Sequence, residues 1–310
     1  MSYKSNIQKA DRTSETATFP DVVLIDNCNA CNLRCSMCDH VNLKNHRRIQ
    51  TMGKEIYRKI IDEIALENPT ARVWEIFFGD PFMCRDMAWR IKYAKDKGLT
   101  DVVLNSNAVL MSPPKARKII EAGLDAMYVG IDAANAATYE KIRVGGNYDR
   151  AVRNVMSYKT LLYKYGSKDQ RLYVQFVVSG INEKEVDDFK RFWLSNGINV
   201  KIRPKISWAG LVGANNLYDN NAIDRKSCYW LMQTMNICAN GDVALCSVDI
   251  HCRVNCGNVV ESDLKDIWND QLSYYRRMQN EKRFDELPEM CRSCRDWQSA
   301  YAEFFNPDRK

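Results

Sequence analysis

The chain has 310 residues, 45% hydrophobic and 27% charged, with a net charge of +6. That length accommodates one large core or one domain with an appendage, and the composition is that of an ordinary soluble globular protein. No apolar run is long enough to span a bilayer and the basic residues are scattered among acidic ones, so neither a membrane anchor nor a nucleic-acid-binding face is expected.

Residues 1 to 20 are polar and read as a loosely ordered arm. Short apolar strands then alternate with amphipathic helices. The first strand is 21–25. A helix around 54–67, with Ile56, Ile60 and Ile64 on one face, leads to a second strand at 72–78. A third strand at 101–104 precedes a helix that opens with Ser112 as cap and Pro113 in its first turn and stops at Gly123. Strands follow at 125–131, 171–178 and 198–203. Six such units predict a parallel sheet with right-handed crossovers, with sites at the carboxyl ends of its strands. Beyond about residue 205 the alternation stops. The domains are therefore expected at 1–20, 21–208 and 209–310.

Twelve cysteines without a secretory signal are the anomalous count; they point to metal ligation in a reducing cytoplasm rather than to disulfides. Cys31, Cys35 and Cys38 follow the first strand with three and then two residues between them. Three thiolates this close can hold three irons of a [4Fe–4S] cube and leave the fourth iron open. A local zinc knuckle using Cys28 or His40 as fourth ligand is the bland alternative. Farther on stand Cys228, Gly241 and Cys246, with Asn236 to Leu245 between them read as a hairpin turning at Asn240-Gly241, and then the pair Cys291 and Cys294. On spacing alone these four thiols suit structural zinc.

The C-x3-C-x2-C triplet after a first strand resembles the radical S-adenosylmethionine (SAM) superfamily, and Cys228-x12-Gly241-x4-Cys246 with Cys291-x2-Cys294 resembles the SPASM and twitch extensions found in it. The resemblance implies an α/β fold, a partial (β/α)6 TIM-like barrel with a small C-terminal cluster-binding extension. It implies SAM, a [4Fe–4S] cluster on Cys31, Cys35 and Cys38, and one auxiliary [4Fe–4S] cluster on Cys228, Cys246, Cys291 and Cys294. Phe78-Gly-Asp-Pro81 is similar to the family's Gly-Gly-Glu motif, so Gly79 and Asp80 are expected near the methionyl amine. Asn105 and Ser106 are expected at the ribose, Arg143 at the SAM carboxylate with Asp132 nearby, Met37 against the adenine, and Gln175 at the barrel mouth.

The family also implies a flavodoxin- or ferredoxin-type reductant. Because only some 20 residues precede the first strand, where peptide-modifying relatives often carry an added module, a small carbohydrate-like or aminocyclitol substrate is expected. Cys252 and Cys256 are left outside both ligand sets, and a thiol S–H is weak enough to give a hydrogen atom to a carbon radical. Epimerisation with one of them as donor is therefore the leading expectation. Oxidation of an alcohol, with Arg203 or Lys205 facing the substrate, and peptide modification are the alternatives. A non-catalytic iron–sulfur or zinc protein is the reading from another class.

Overall fold

The computed structural model describes residues 18–213 and 224–300, so the arm expected at 1–20 lies outside it as far as residue 17. The end of that stretch is not loose. Phe19 is buried in the core, and the carbonyls of Thr18 and Pro20 accept hydrogen bonds from Asn269 (3.0 Å) and Asn68 (3.3 Å).

The six expected strands form β1 (Val22–Ile25), β2 (Arg72–Trp74), β3 (Asp101–Ser106), β4 (Ala126–Gly130), β5 (Arg171–Val178) and β6 (Asn199–Pro204), parallel and adjacent in chain order. Alternation divides their side chains between two faces. Val23, Val73, Leu104, Val129, Val174 and Val200 join the main core together with residues of the covering helices, such as Tyr57, Ile60 and Ile64 of Lys54–Glu67. The opposite residues point into the barrel, where Trp74, Val103, Ala126, Tyr128 and Tyr173 make a separate apolar floor. The Tyr128 and Tyr173 rings stack at 4.8 Å, and Lys201 Nζ lies 5.2 Å from the Tyr128 ring centre.

Two local expectations are corrected. β2 stops at Trp74 rather than running to Phe78, because the chain turns off after Glu75 and the Phe78 N–H is captured by the Asp26 carboxylate at 3.0 Å. Ser112 precedes the helix Pro113–Glu121 but makes no side-chain cap bond.

The extension is not a detached body. β7 (Thr234–Ile237) pairs parallel with β1, and β8 (Asp242–Ala244) and β9 (Asn255–Asn258) continue antiparallel, giving one nine-stranded sheet in the order 6-5-4-3-2-1-7-8-9. The extension thereby covers the β1 edge, which would otherwise expose unpaired backbone groups. The turn between β7 and β8 is longer than two residues: Gly241 N–H bonds to Cys238 O (2.8 Å), Cys238 N–H to Asp242 O (2.8 Å), and Gly241 takes the left-handed position at φ 92°. Among the described residues no helix is long and apolar enough to cross a membrane.

Candidate active site

The loop from Asp26 to Asp39 leaves the carboxyl end of β1 and is held from two sides. Arg34 and Ser36 N–H groups bond to the carbonyls of Val144 and Ile142, each at 2.9 Å. On the other side Asp80 N–H bonds to Ala30 O (2.9 Å), and Gly79 lies so close that a Cβ there would stand 2.6 Å from Cys28 O and 2.8 Å from Ala30 O. Glycine is required twice over, since φ is 148°. The extra ligands a zinc knuckle would need are engaged elsewhere: Cys28 is buried in the main core and His40 Nε2 bonds to Asn29 O at 2.7 Å.

Burial above all, with the neighbouring thiols of the triplet adding to it, raises the Cys31 thiol to about 11 and the Cys38 thiol to about 12. Cys31 Sγ accepts from Leu33 N–H at 3.5 Å, and Arg143 Nη1 lies 3.6 Å from Cys35 Sγ. Three soft sulfurs within electrostatic reach of one another, disfavoured as free anions, are a donor set that suits a cationic iron–sulfur cluster, whose binding displaces their protons.

The residues at the strand ends separate into two groups. Asp80 and Ser106 bond to each other and to the adjoining backbone: Asp80 Oδ1 accepts from Phe82 N–H (3.0 Å), and Oδ2 from Ser106 Oγ (2.9 Å) and Asn107 N–H (2.9 Å). This buried carboxylate clamps the loops after β2 and β3 together. Arg143 is likewise committed. Its guanidinium fills the space left by Gly130 and pairs with Asp132 through Nε (2.7 Å) and Nη2, while Asp132 Oδ1 accepts from Val177 N–H at 2.7 Å. It thereby also stands beside Cys35.

Asn105, Gln175 and Arg203 form the second group, a row across the barrel's inner face. Arg203 Nη1 reaches Gln175 Oε1 (3.1 Å) and Gln175 Nε2 reaches Asn105 Oδ1 (3.4 Å). Lys205 stands one residue beyond β6, with its ammonium pKa lowered by desolvation. Met37 is half-buried, and its carbonyl accepts from Trp208 Nε1 at 2.9 Å.

The second cysteine set also assembles. Cys228, Cys246, Cys291 and Cys294 line one pocket with Trp230, Met290 and other apolar groups. Burial raises all four thiols, neighbouring thiols of the set add to the rise at Cys246, Cys291 and Cys294, and Cys291 is pushed up to about 12 in all. Thiols spaced round a pocket are what a multi-iron cube takes, since each then binds a different iron.

The two leftover thiols lie in different surroundings. Cys256 is 1% exposed in the main core with Leu264 and Ile267, its Sγ 3.8 Å from Val254 O. Cys252 lies against Cys238 and lines a separate cleft with His46, Arg47 and His251. The sequence reading had no access to three further contacts around the loop: Trp208 to Met37, His251 Nε2 to Asp39 Oδ2 (2.6 Å), and the buried pair of Arg47 with Asp26. The first two join positions 171 and 212 apart, beyond any local pattern.

A family model described as the radical SAM superfamily matches residues 28–192, and one described as an iron–sulfur cluster-binding domain, SPASM, matches residues 228–295. The chain belongs to the radical SAM superfamily. It is accordingly a radical SAM enzyme, with SAM and iron–sulfur clusters as its cofactors. The probable GTP 3′,8-cyclase of Methanococcus maripaludis strain C5 is 31% identical over 125 residues, 40% of this chain and 41% of that protein. The 7,8-dihydro-6-hydroxymethylpterin dimethyltransferase of Methanocaldococcus jannaschii is 26% identical over 204 residues, 63% of this chain and 38% of that protein. The matched stretches thus span about two fifths of these curated relatives. Among solved structures, BtrN in complex with AdoMet and 2-DOIA matches with a TM-score of 0.62 over 89% of this chain and 93% of that one. Streptococcus suis SuiB bound to precursor peptide SuiA matches with 0.70 over 96% and 74%. Both are 14% identical and establish the fold alone.

Proposed function

We propose that this enzyme oxidises a C–H carbon that carries a hydroxyl in a small polyhydroxylated substrate, of the sugar or aminocyclitol kind, held inside the barrel. The observation that carries the reading is the hydrogen-bonded row Asn105, Gln175 and Arg203 above the aromatic floor, on a face whose inward-alternating residues on β1 to β7 include no cysteine. Epimerisation would want a thiol there, and both Cys252 and Cys256 lie elsewhere.

Cys31, Cys35 and Cys38 would hold the cluster that binds SAM, and Cys228, Cys246, Cys291 and Cys294 the auxiliary one. When bound and reduced, these groups supply hydrogen-atom abstraction from carbon and an acceptor for one electron. The chain's own residues do the rest. Amide and guanidinium groups of the row orient the substrate hydroxyls, and the Trp74, Tyr128 and Tyr173 floor excludes water from below. Lys205, whose desolvation favours the neutral amine, takes the hydroxyl proton at Nζ. Loss of one hydrogen atom, one proton and one electron leaves a carbonyl.

The test is turnover of reconstituted enzyme with SAM, a strong reductant and candidate aminocyclitols in deuterated water. Oxidation yields a product two mass units lighter, and Cys252→Ala and Cys256→Ala retain it while Lys205→Met lowers kcat. Deuterium at an inverted carbon, lost in Cys252→Ala or Cys256→Ala, would refute the proposal in favour of epimerisation.

A further inference from the structure

The turn at residues 207–209 lies between the two cysteine sites and is built in an unfavourable conformation. Trp208 and Ala209 have φ of 54° and 53°, the left-handed region that side chains bearing a Cβ disfavour. One fully buried carboxylate holds both in place: Asp296 accepts from Ser207 N–H through Oδ1 (2.6 Å) and from Ala209 N–H through Oδ2 (2.8 Å). Asp296 stands two residues past Cys294, and its own N–H points at Cys294 Sγ at 3.4 Å. A strained turn persists only where its surroundings over-determine it, and here the over-determining group belongs to the auxiliary cysteine segment.

The Trp208 side chain points its other interactions toward the first site. Nε1–H donates to Met37 O, between Cys35 and Cys38, and the indole meets Phe78 edge-on at 5.4 Å. The same ring packs against the apolar group of Leu43, Phe78 and Ile250, which Cys38 also joins, and against Ala209, Cys246, Val248 and Met290, which Cys291 and Cys294 join. Among the described residues, Arg47 Nη1 to Ile250 O (2.8 Å) and His251 to Asp39 are parallel contacts between the same two regions, but neither touches the Cys291 and Cys294 segment.

We propose that Trp208 is a positioning residue that couples the two sites: the Asp296 clamp sets the turn, and the turn sets the carbonyl of Met37 and with it the spacing of the three-cysteine loop. The inference rests on reading both cysteine sets as cluster sites. Anything that disturbs the Cys291 and Cys294 segment then loosens residues 31–40 through this one indole.

A double-mutant cycle on the anaerobically reconstituted full chain tests it, read by hydrogen exchange over residues 31–40 and by the EPR spectrum of the reduced SAM-binding cluster. Asp296→Asn keeps the size of the clamp but sets an amide N–H2 against a backbone donor, and Trp208→Phe removes the indole N–H while keeping a ring. Each variant is expected to speed exchange in residues 31–40 roughly five-fold, the worth of one lost hydrogen bond, and to shift the EPR signal, with the double variant no worse than either alone. Should Asp296→Asn fail to fold, Ser207→Pro removes one clamped N–H and serves in its place. Unchanged exchange in residues 31–40 in Asp296→Asn or Ser207→Pro would overturn the proposal, and so would additive effects, which would mean that the Asp296 clamp reaches residues 31–40 by a route other than the indole. The same exchange cycle is run on the metal-free chain. A parent chain that takes up no iron would then refute the cluster reading while leaving the coupling to stand or fall on the exchange data.

Discussion

Replacing Asp132 by asparagine isolates the charge in the buried pair beneath the cysteine loop. The Asp132 side chain is fully buried, that of Arg143 is 15% exposed, and φ of 62° at position 132 is one that asparagine tolerates, so backbone strain is unchanged. The new Oδ1 still accepts from Val177 N–H, but Nδ2 faces the Arg143 donors and the guanidinium loses its countercharge. Breaking a buried ion pair from one side costs about 3–5 kcal/mol, because a charge remains in a medium that cannot solvate it. Urea denaturation of the full chain under reductant should show that loss as a lower midpoint at an unchanged slope. Adding Arg143→Met removes the orphaned charge, and the double variant should regain most of the stability while holding less iron at the three-cysteine site, since the cation 3.6 Å from Cys35 is gone. A loss below about 1 kcal/mol in Asp132→Asn would refute the reasoning, because it would mean that Arg143 is balanced by something other than Asp132.

Gly79→Ala sets a Cβ against two backbone carbonyls that cannot yield, so it should displace the cysteine loop and reduce both iron content and reductive SAM cleavage at least ~10-fold, with the helical circular dichroism kept. Normal iron loading would contradict the tight approach on which this rests. Glu75 carries a pH dependence. Burial raises its carboxyl to about 7 and outweighs the hydrogen bonds donated by Tyr57 Oη to Oε1 (2.6 Å) and by Asn27 Nδ2 to Oε2 and the nearby Arg90 charge, all of which lower it. Because the folded chain holds this proton more tightly than the unfolded one, the stabilisation is full below the ordinary carboxylate value of 4.5 and lost as pH rises through about 7. The change is about 3 kcal/mol over that window. Denaturation midpoints across this range should flatten in Glu75→Gln, and an unchanged slope would assign the dependence to other carboxyls.

The parallel barrel was readable because its signals are local. Apolar runs such as Val22–Ile25 and Arg171–Val178 alternate with helices whose apolar faces recur at helical spacing, and the cysteine triplet announces its chemistry within eight residues. The strand ends were harder to read. Nothing local in the sequence shows that Asp80 clamps two loops or that Arg143 balances Asp132, because those partners come within reach only in the fold. Cys252 and Cys256 looked available for the same reason that any unassigned cysteine does, and only packing shows one in the core and the other beside Cys238.

Hydrophobic period by itself determined the six parallel units, and the family resemblance carried by the cysteine spacing pointed to the enzyme class, since both rest on residues near one another in the chain. Tertiary structure alone decided that β7 joins β1, that the extension shares the barrel's sheet, and that Trp208 lies between the two cysteine sites. Those contacts join residues far apart in the chain, and their stability comes from strand-edge pairing, apolar burial and compensation of buried charge, which exist only once the chain has closed on itself.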